Sequence, residues 1–218
     1  MGQLSTTQLI VFGANGATGH VIVEEALRAG HAVTAAVRDP AAFRPVPPEI
    51  RGANLSVVRA DVRDVDSVRA AVTGQDAVIS AIGPAGGRAD GLYSAGARAL
   101  VSAMVECGVD RLVALSSSGV RRDDPNHPLW YRVVARTLLA ELYADMRRME
   151  DIVRNSPLDW TFVRPARIVD EPPTGAFRAL DGSNPRGGTS VSRVDLARFV
   201  VAAVDDERWS RSRPTLAR

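Results

Sequence analysis

The stretch that decides the fold is LIVFGANGATG, residues 9–19. Its first four residues are apolar and predict a short buried strand, and Gly13, Gly16 and Gly19 follow at intervals of three. In a strand–loop–helix unit, the first glycine permits the tight turn, the second lets the backbone approach a pyrophosphate, and the third lets the helix pack closely on the strand. The stretch therefore predicts a dinucleotide site made by Gly13, Asn15, Gly16, Ala17, Thr18 and Gly19.

The residues that follow strengthen this interpretation and bear on the cofactor. Residues 21–27 carry apolar side chains at helical spacing, Gly30 ends that helix, and residues 32–37 form a second apolar run. Arg38 stands at the end of this run, where a basic residue accommodates the 2′-phosphate of NADP and an acidic one holds the ribose of NAD. Asp39 comes next and would favour NAD if it faced the ribose instead. We expect NADPH, with NAD as the less favoured alternative.

The rest of the chain alternates strand and helix patterns, which predicts one α/β domain over residues 1–218: a Rossmann-like, doubly wound parallel sheet with helices on both faces. Further strands are predicted at residues 55–59, 76–82, 111–115 and 159–163. Further helices are predicted at residues 65–72, 93–107, 129–155 (as one or two pieces) and 194–204, whereas residues 170–190 have the composition of a loop with short strands.

Ligands of such sheets bind beyond the carboxyl ends of the strands, so the residues just after each strand are candidates. They are Asp61, Val62, Ala81, Gly83, Ser116, Ser117 and Pro165. Asp61 would accept from the adenine amino group, with Val62 packed on the ring, or would cap the next helix; both alternatives remain open. The substrate side is expected to be built from residues 84–95, 119–135 and 166–190, with Trp130 and Tyr131 able to cover the site.

Several segments together resemble one family. They are GANGATG at 13–19, VRD at 37–39, GQDAVISAIG at 74–83, LVALSSSGV at 112–120, DMRRMEDIVRNSPLDWTFVRPARI at 145–168, DEPPTGAF at 170–177 and VSRVDLARFVVAAV at 191–204. In this order they resemble the atypical short-chain dehydrogenases/reductases, in the group of biliverdin-IXβ reductase/flavin reductase and the NmrA-like NADP-binding proteins. The resemblance implies NADPH as cofactor and an open site for a flat substrate over the nicotinamide.

The same resemblance implies roles for individual residues. It implies that Ser117 orients the reaction, and it places Arg167 where the bilin-reducing members carry a histidine. The usual tyrosine–lysine pair is missing, since the lysine position falls on Met146. Tyr143 and Arg147 imitate the spacing of that pair, but a guanidinium stays charged and relays protons poorly. The candidate catalytic residues are accordingly Ser117, Tyr131 and Arg167, with Tyr93 and Tyr143 as weaker proton donors.

Composition narrows the range of partners. All 27 basic residues are arginine, the net charge is only +2, and no basic stripe with interleaved aromatics is present, so nucleic-acid binding is not expected. Without lysine, Schiff-base chemistry is excluded. No apolar run reaches the length of a membrane helix, no signal peptide is recognised, and the single cysteine, Cys107, fits a reducing compartment. We therefore expect a cytoplasmic monomer or homodimer with a small-molecule substrate, no membrane or nucleic-acid partner, and no metal.

Three functional hypotheses follow. The first is an NADPH-dependent reductase that transfers hydride to a flat conjugated acceptor such as a flavin, quinone or bilin, with Arg167 stabilising negative charge on the acceptor. The second, motivated by the missing tyrosine–lysine pair, is a non-catalytic NADP(H) sensor that docks on a protein. The third is a carbonyl reductase or epimerase of a biosynthetic pathway, with a tyrosine as the acid.

Overall fold

The computed structural model describes residues 6–52, 54–84, 86 and 89–218, with only the backbone of Arg51, Trp130 and Arg136. The helices of this part of the chain are α1 Ala17–Arg28, α2 Pro48–Arg51, α3 Val65–Val72, α4 Leu92–Cys107, α5 Leu129–Arg136, α6 Ala140–Arg154 and α7 Arg193–Ala202. The strands are β1 Gln8–Phe12, β2 Ala32–Val37, β3 Leu55–Arg59, β4 Ala77–Ser80, β5 Arg111–Leu115, β6 Asp159–Pro165, β7 Arg167–Val169, β8 Arg178–Asp181, β9 Ser190–Ser192 and β10 Pro214–Ala217.

Eight strands form one sheet in the order β3-β2-β1-β4-β5-β6-β10-β8, in which every neighbouring pair is parallel except β10 with β8. The chain winds outward from β1 to β3 and then crosses back to β4, so the direction of winding reverses between β1 and β4. Such a reversal leaves a crevice at the carboxyl ends of the two strands. A separate parallel pair, β7 with β9, lies outside the sheet.

The sheet separates two apolar cores because successive strand residues point to opposite faces. In β1, Ile10 and Phe12 enter the core that also contains residues of α3, α4 and α6. Leu9 and Val11 enter the core that contains residues of α1 and α7. All four side chains are fully buried, so β1 is sandwiched between helical layers. The prediction of a doubly wound sheet with helices on both faces is confirmed.

Some boundaries differ from the predicted ones. The strand predicted over residues 76–82 is shorter, Ala77–Ser80, so residues 81–84 are free to line the crevice. The helical segment over residues 129–155 is two helices, α5 and α6. The Thr137 hydroxyl, at the end of α5, donates to the Val133 carbonyl at 3.0 Å, a local bond that competes with continuation of the helix.

Strand β10 is absent from the sequence-based prediction. It has only four residues, begins with a proline that has no N–H, and lacks an apolar run. Its place in the sheet comes from long-range pairing, parallel to β6 and antiparallel to β8. It buries Leu216 and Ala217 completely.

Candidate nucleotide and substrate site

The crevice at the carboxyl ends of β1 and β4 is a cavity of about 1090 Å³, which we call the nucleotide cavity. Its predicted lining residues are Gly13, Asn15, Gly16, Ala17, Thr18, Arg38, Asp61, Val62, Ala81, Gly83, Ser116, Ser117 and Pro165. Three predicted site residues, Gly19, Tyr131 and Arg167, are not in the lining, and the lining includes no described residue of the predicted substrate segment 119–135. Of the predicted substrate loop 84–95, Ala85, Gly87 and Arg88 lie outside the described residues.

The glycine loop is built so that side chains would obstruct it. Gly13 has φ +78°, and a Cβ there would stand 2.5 Å from the Ala81 carbonyl oxygen of the neighbouring chain segment. A Cβ on Gly19 would overlap the Gly13 carbonyl, so the third glycine lets α1 approach the loop. Gly16 precedes α1 with no side-chain cap. The first N–H groups of α1 have no intrahelical partners, a helix terminus suited to an anion.

Asn15 ties this loop to the segment after β2. Its Nδ2 donates to the Ala42 carbonyl at 2.9 Å, and its Oδ1 accepts from the Arg44 backbone N at 3.1 Å. The Arg44 guanidinium donates to the Gly16 carbonyl at 3.1 Å. Asn15 therefore shapes the cavity by holding two loops together, and Arg44 adds positive charge beside the phosphate-binding loop.

Arg38 and Asp39 have different local roles. The Asp39 carboxylate accepts from the Ala41 backbone N at 3.0 Å and caps a short 3₁₀ turn at Pro40–Ala42. The Arg38 side chain is exposed and lines the nucleotide cavity. Within the described chain it has no hydrogen bond or ion pair, so its planar fork is available to a phosphate.

The alternative of Asp61 as a helix cap does not hold. The cap of α3 is Asp64, whose carboxylate accepts from the backbone N atoms of Asp66 and Ser67 at 3.1 and 3.3 Å. Asp61 Oδ1 accepts from the Arg63 backbone N at 2.9 Å, and the residue lines the nucleotide cavity beside Val62. Its carboxylate thus remains near the position predicted for adenine.

Ser116 is held by a buried charged pair. Its hydroxyl donates to Glu150 Oε1 at 2.6 Å, and the same oxygen accepts from Arg164 Nε at 2.9 Å. A second guanidinium nitrogen of Arg164 contacts Glu150 Oε2. Ser116 therefore faces the nucleotide cavity while its hydroxyl is anchored to the interior.

Ser117 lies at the end of a chain of hydroxyl groups. Its Oγ accepts from the Gly119 backbone N at 3.3 Å, and the Ser117 and Ser118 hydroxyls contact the Tyr131 phenol. The Tyr131 and Tyr143 phenol oxygens are 2.8 Å apart. Burial, followed by the contact with Tyr143, strongly raises the pKa of Tyr131, so this phenol stays protonated.

Arg167 faces away from the cavity. Its neighbours Ala166 and Ile168 line the cavity, and adjacent residues of extended chain point to opposite sides. Arg167 itself is exposed on β7. This geometry gives no support to charge stabilisation by Arg167, because the guanidinium is turned out toward solvent.

Other lining residues had weak or no signals in the sequence. Met146 lines the cavity, as expected of a residue at the lysine position, whereas Arg147 does not. Tyr93 lines it too, and burial, then Asp145 and Tyr143, raise the pKa of Tyr93 to about 12. Arg63 donates to the Asp90 carbonyl at 3.1 Å across the mouth. The sequence did not indicate a role for Arg63 at the site, because only the fold brings the loops that carry Arg63 and Asp90 together.

Arg193 also acts at this site from a distant part of the chain. It donates to the Thr18 hydroxyl at 2.7 Å and to both carboxylate oxygens of Asp170, at 2.6 and 3.1 Å. These hydrogen bonds lower the pKa of Asp170. The contact joins the segment after β7 to the first turn of α1. Thr18 and Arg193 are 175 residues apart, so local sequence patterns could not reveal it.

The described residues fit a dinucleotide: a glycine cradle that a Cβ would fill, an uncapped helix terminus, an unpaired guanidinium and a carboxylate in one crevice. No group of three or more potential metal ligands is found among the described residues. No helix in that part of the chain is long and apolar enough to cross a membrane.

The chain belongs to the NAD(P)H-binding family, whose model matches residues 13–207. It is thus an NAD(P)H-binding protein with a Rossmann-like fold. A chloroplastic protein of Arabidopsis thaliana, itself uncharacterized, is 32% identical over 225 aligned residues, which cover 95% of this chain and 75% of the relative.

Solved structures of the same class share the fold. A short-chain dehydrogenase/reductase from Veillonella parvula in complex with NADP has a TM-score of 0.79 and 16% identity, covering 96% of this chain and 94% of that one. ChuY from Escherichia coli O157:H7, described as an anaerobilin reductase, has a TM-score of 0.78 and 21% identity, covering 96% of each chain. The match to the NAD(P)H-binding family model confirms the predicted family of nucleotide-binding proteins, and these two structures show that the fold is shared.

Proposed function

We propose that this chain is an NADPH-dependent reductase that transfers hydride to a flat conjugated acceptor such as a flavin, a quinone or a bilin. The observation that carries the proposal is the combination of a complete nucleotide cradle with Met146 at the lysine position of the cavity. A thioether cannot carry a proton relay. Reduction of a conjugated acceptor fits such a site, because hydride arrives from the cofactor and water supplies the proton afterwards.

The preference for NADPH rests on Arg38. Its guanidinium lies at the mouth of the cavity without an ion-pair partner in the described chain, while the neighbouring carboxylate of Asp39 is committed to its own turn. A 2′-phosphate would satisfy the Arg38 fork with two parallel hydrogen bonds. Arg44, bonded to the Gly16 carbonyl, adds positive charge nearby.

The acceptor side supports a flat, largely apolar substrate. Besides Ser117, the lining of the cavity includes the largely apolar side chains of Ile82, Leu92, Tyr93, Met146 and Ile168. Such surfaces stack on a conjugated ring system and exclude water from the reacting carbon. The name of the ChuY neighbour points to a bilin-type acceptor in that protein, which lies within the same chemical class.

In this proposal Ser117 is the residue that touches the acceptor. Ser117 lines the cavity and contacts the Tyr131 phenol, which stays protonated because burial and the contact with Tyr143 raise its pKa. Ser117 therefore offers a fixed hydroxyl to a polar atom of the acceptor. Ser116 positions the backbone of the same turn through Glu150.

A second candidate, a carbonyl reductase, is favoured by the hydroxyl chain itself. The Ser117–Tyr131–Tyr143 contacts would pass a proton to a developing alkoxide, with Ser117 as the group in the cavity and Tyr131 and Tyr143 behind it. The two candidates differ in their dependence on these phenols. If Tyr131→Phe or Tyr143→Phe abolishes turnover while NADPH still binds, the carbonyl reductase is favoured; partial loss favours the flat acceptor.

The test is NADPH oxidation by the purified protein, followed by absorbance, against free flavins, quinones, bilins and conjugated carbonyl compounds, with NADH in parallel. We expect turnover of a flat conjugated acceptor with NADPH. In Ser117→Ala the turnover number should fall by at least about tenfold, whereas Arg38→Gln should raise the Michaelis constant for NADPH and leave that for NADH unchanged. Tight NADP binding without turnover across the panel would contradict the reductase and favour the sensor.

A further inference from the structure

A second cavity, of about 440 Å³, lies between α6, the 3₁₀ turn at Ser118–Val120 and the edge formed by β8 and β10. We call it the arginine cavity, after the five arginines that line it. They are Arg121, Arg147, Arg154, Arg164 and Arg213. It shares no lining residue with the nucleotide cavity.

Two of the three carboxylates in this lining are committed to neighbours. Glu150 binds both Arg164 and the Ser116 hydroxyl, and it is buried with Arg164. Asp151 accepts from Arg154 at 2.7 Å. These contacts neutralise Arg164 and Arg154, so the two pairs leave no net charge for a ligand.

The third carboxylate leaves Arg213 largely uncompensated. Asp181 Oδ1 accepts from the backbone N of Arg213 at 2.6 Å, not from its guanidinium. The Arg213 side-chain Nε is buried and has no hydrogen-bond partner among the described residues. A buried guanidinium N–H without an acceptor is costly, so a ligand oxygen that reached it would recover free energy.

Arg147 is the second arginine with donors to spare. Its one hydrogen bond in the described chain runs to the Val120 carbonyl at 3.4 Å, and no carboxylate lies within ion-pair distance there. Burial, then the charges of Arg122 and Arg148, lower the pKa of Arg147, while the carboxylates of Glu150 and Asp151 act in the opposite direction. Arg121 adds a further guanidinium, which donates to the Gly182 carbonyl at 2.9 Å and pairs with the exposed Asp123 at 3.6 Å.

We propose that the arginine cavity is a binding site for a small oxyanion carrying carboxylate or phosphate groups, with Arg147 and Arg213 as its principal donors. Planar guanidinium forks match the oxygen pairs of both groups. The volume lies within the range of small-molecule sites, which suits a metabolite with more than one anionic group. The interspersed carboxylates disfavour an extended polyanion. This site is independent of the proposed reductase activity.

The experiment is calorimetric titration of the protein with citrate in one arm and inorganic phosphate in the other, at constant ionic strength. Saturating NADP is present throughout, so that the glycine loop is occupied and cannot bind the probe. We expect binding of at least one probe, and weakening by at least about tenfold in Arg147→Gln/Arg213→Gln, the cost of losing charge-assisted hydrogen bonds. The stronger probe tells whether the physiological ligand is a polycarboxylate or a phosphate ester.

The matched control is Arg208→Gln. Arg208 is exposed, pairs with Asp206, and lines neither cavity. It removes one positive charge without touching the site, so it should leave probe affinity unchanged. NADP binding, measured separately, reports whether the double variant is folded; if it is not, Arg213→Gln alone takes its place. Equal affinity in wild type and folded variant, or no binding of either probe at millimolar concentration, would overturn the proposal.

Discussion

The phenol oxygens of Tyr131 and Tyr143 are 2.8 Å apart, which joins α5 to α6 beside the serine turn after β5. The third tyrosine of the chain, Tyr93, is electrostatically coupled to Tyr143 and lines the nucleotide cavity. The three tyrosines of the chain thus lie in one cluster, of which Tyr93 lines the cavity. Their arrangement differs from a tyrosine–lysine pair, since they interact with each other and only Tyr131 contacts Ser117.

Replacing Tyr131 by phenylalanine should lower the turnover number of the reductase by about tenfold and leave the dissociation constant of NADPH unchanged. The variant keeps the ring but removes the phenolic hydroxyl that contacts Ser117. Steady-state kinetics with the best acceptor, together with NADPH fluorescence titration, measure the two quantities. Tyr143→Phe is the control, because its phenol touches Tyr131 and not Ser117. An unchanged turnover number in Tyr131→Phe would refute the role.

The stability of the protein should fall with rising pH between about 10 and 12. Unfolded tyrosine ionises near pH 10, whereas the pKa of folded Tyr93 is about 12 because of its burial. Below pH 10 both states are protonated and the stabilisation is complete; above it the unfolded state loses the proton first and is favoured. At pH 11 the linkage amounts to about 1 kcal/mol.

Urea unfolding of wild type and Tyr93→Phe at a series of pH values measures this linkage. The phenylalanine variant cannot ionise, so the difference in unfolding free energy should shift in its favour above pH 10. Parallel pH dependence in the two proteins would show that Tyr93 ionises normally in the folded state.

The sequence predicted the fold class, and it predicted residues that the structure brings together in the lining of the nucleotide cavity, because both depend on local patterns. The glycine spacing, the apolar run before it and Arg38 after β2 are all contiguous signals. The role of Asp61 was ambiguous because any aspartate shortly before a helix is a candidate for its N-cap. Only the structure excludes Asp61 as the cap of α3, because Asp64 accepts the hydrogen bonds from the backbone of Asp66 and Ser67.

What the sequence could not supply are contacts between distant segments. The link from Arg193 to Thr18 and the place of β10 between β6 and β8 depend on how the sheet edges pack. Arg167 was placed at the site by resemblance, but alternation along β7 turns it outward. A shift of one residue along a strand moves a side chain to the opposite face, and a resemblance in sequence alone does not determine the alignment that precisely.

Gly13→Ala should abolish tight NADP binding, whereas Gly30→Ala should not. Both positions have positive φ, so both variants lose about 1 kcal/mol of stability from backbone strain. Only at Gly13 would the Cβ also stand 2.5 Å from the Ala81 carbonyl oxygen, which forces the loop to move; at Gly30 nothing lies within 4 Å. Thermal unfolding and NADP calorimetry on the two variants separate strain from loop geometry. Equal NADP affinities would contradict this account.

Asp61→Ala and Asp64→Ala should have opposite profiles. Asp61→Ala should weaken NADP binding several-fold with little effect on stability, because its carboxylate lines the cavity. Asp64→Ala should cost about 1 kcal/mol of unfolding free energy, as loss of a helix cap does, with NADP affinity retained. Each variant is the control for the other. Loss of affinity in Asp64→Ala alone would reverse the assignment.

Removing one partner of the Glu150–Arg164 pair should be far more damaging than removing both. Glu150 and Arg164 are 7% and 6% exposed, so Glu150→Gln leaves a buried guanidinium without its counterion, at a cost of about 3–5 kcal/mol. Glu150→Met/Arg164→Met replaces both charges by apolar groups of similar length and should recover most of that loss. Ser116→Ala, which removes one neutral donor to Glu150, should cost only about 2 kcal/mol. Urea unfolding with checks for equal slopes gives the four free energies. If the double variant is as unstable as Glu150→Gln, the pair stabilises the fold through more than its charge balance. The anchoring of the Ser116 hydroxyl would then be the first explanation to test, because this hydroxyl keeps an acceptor in Glu150→Gln but loses it in the double variant.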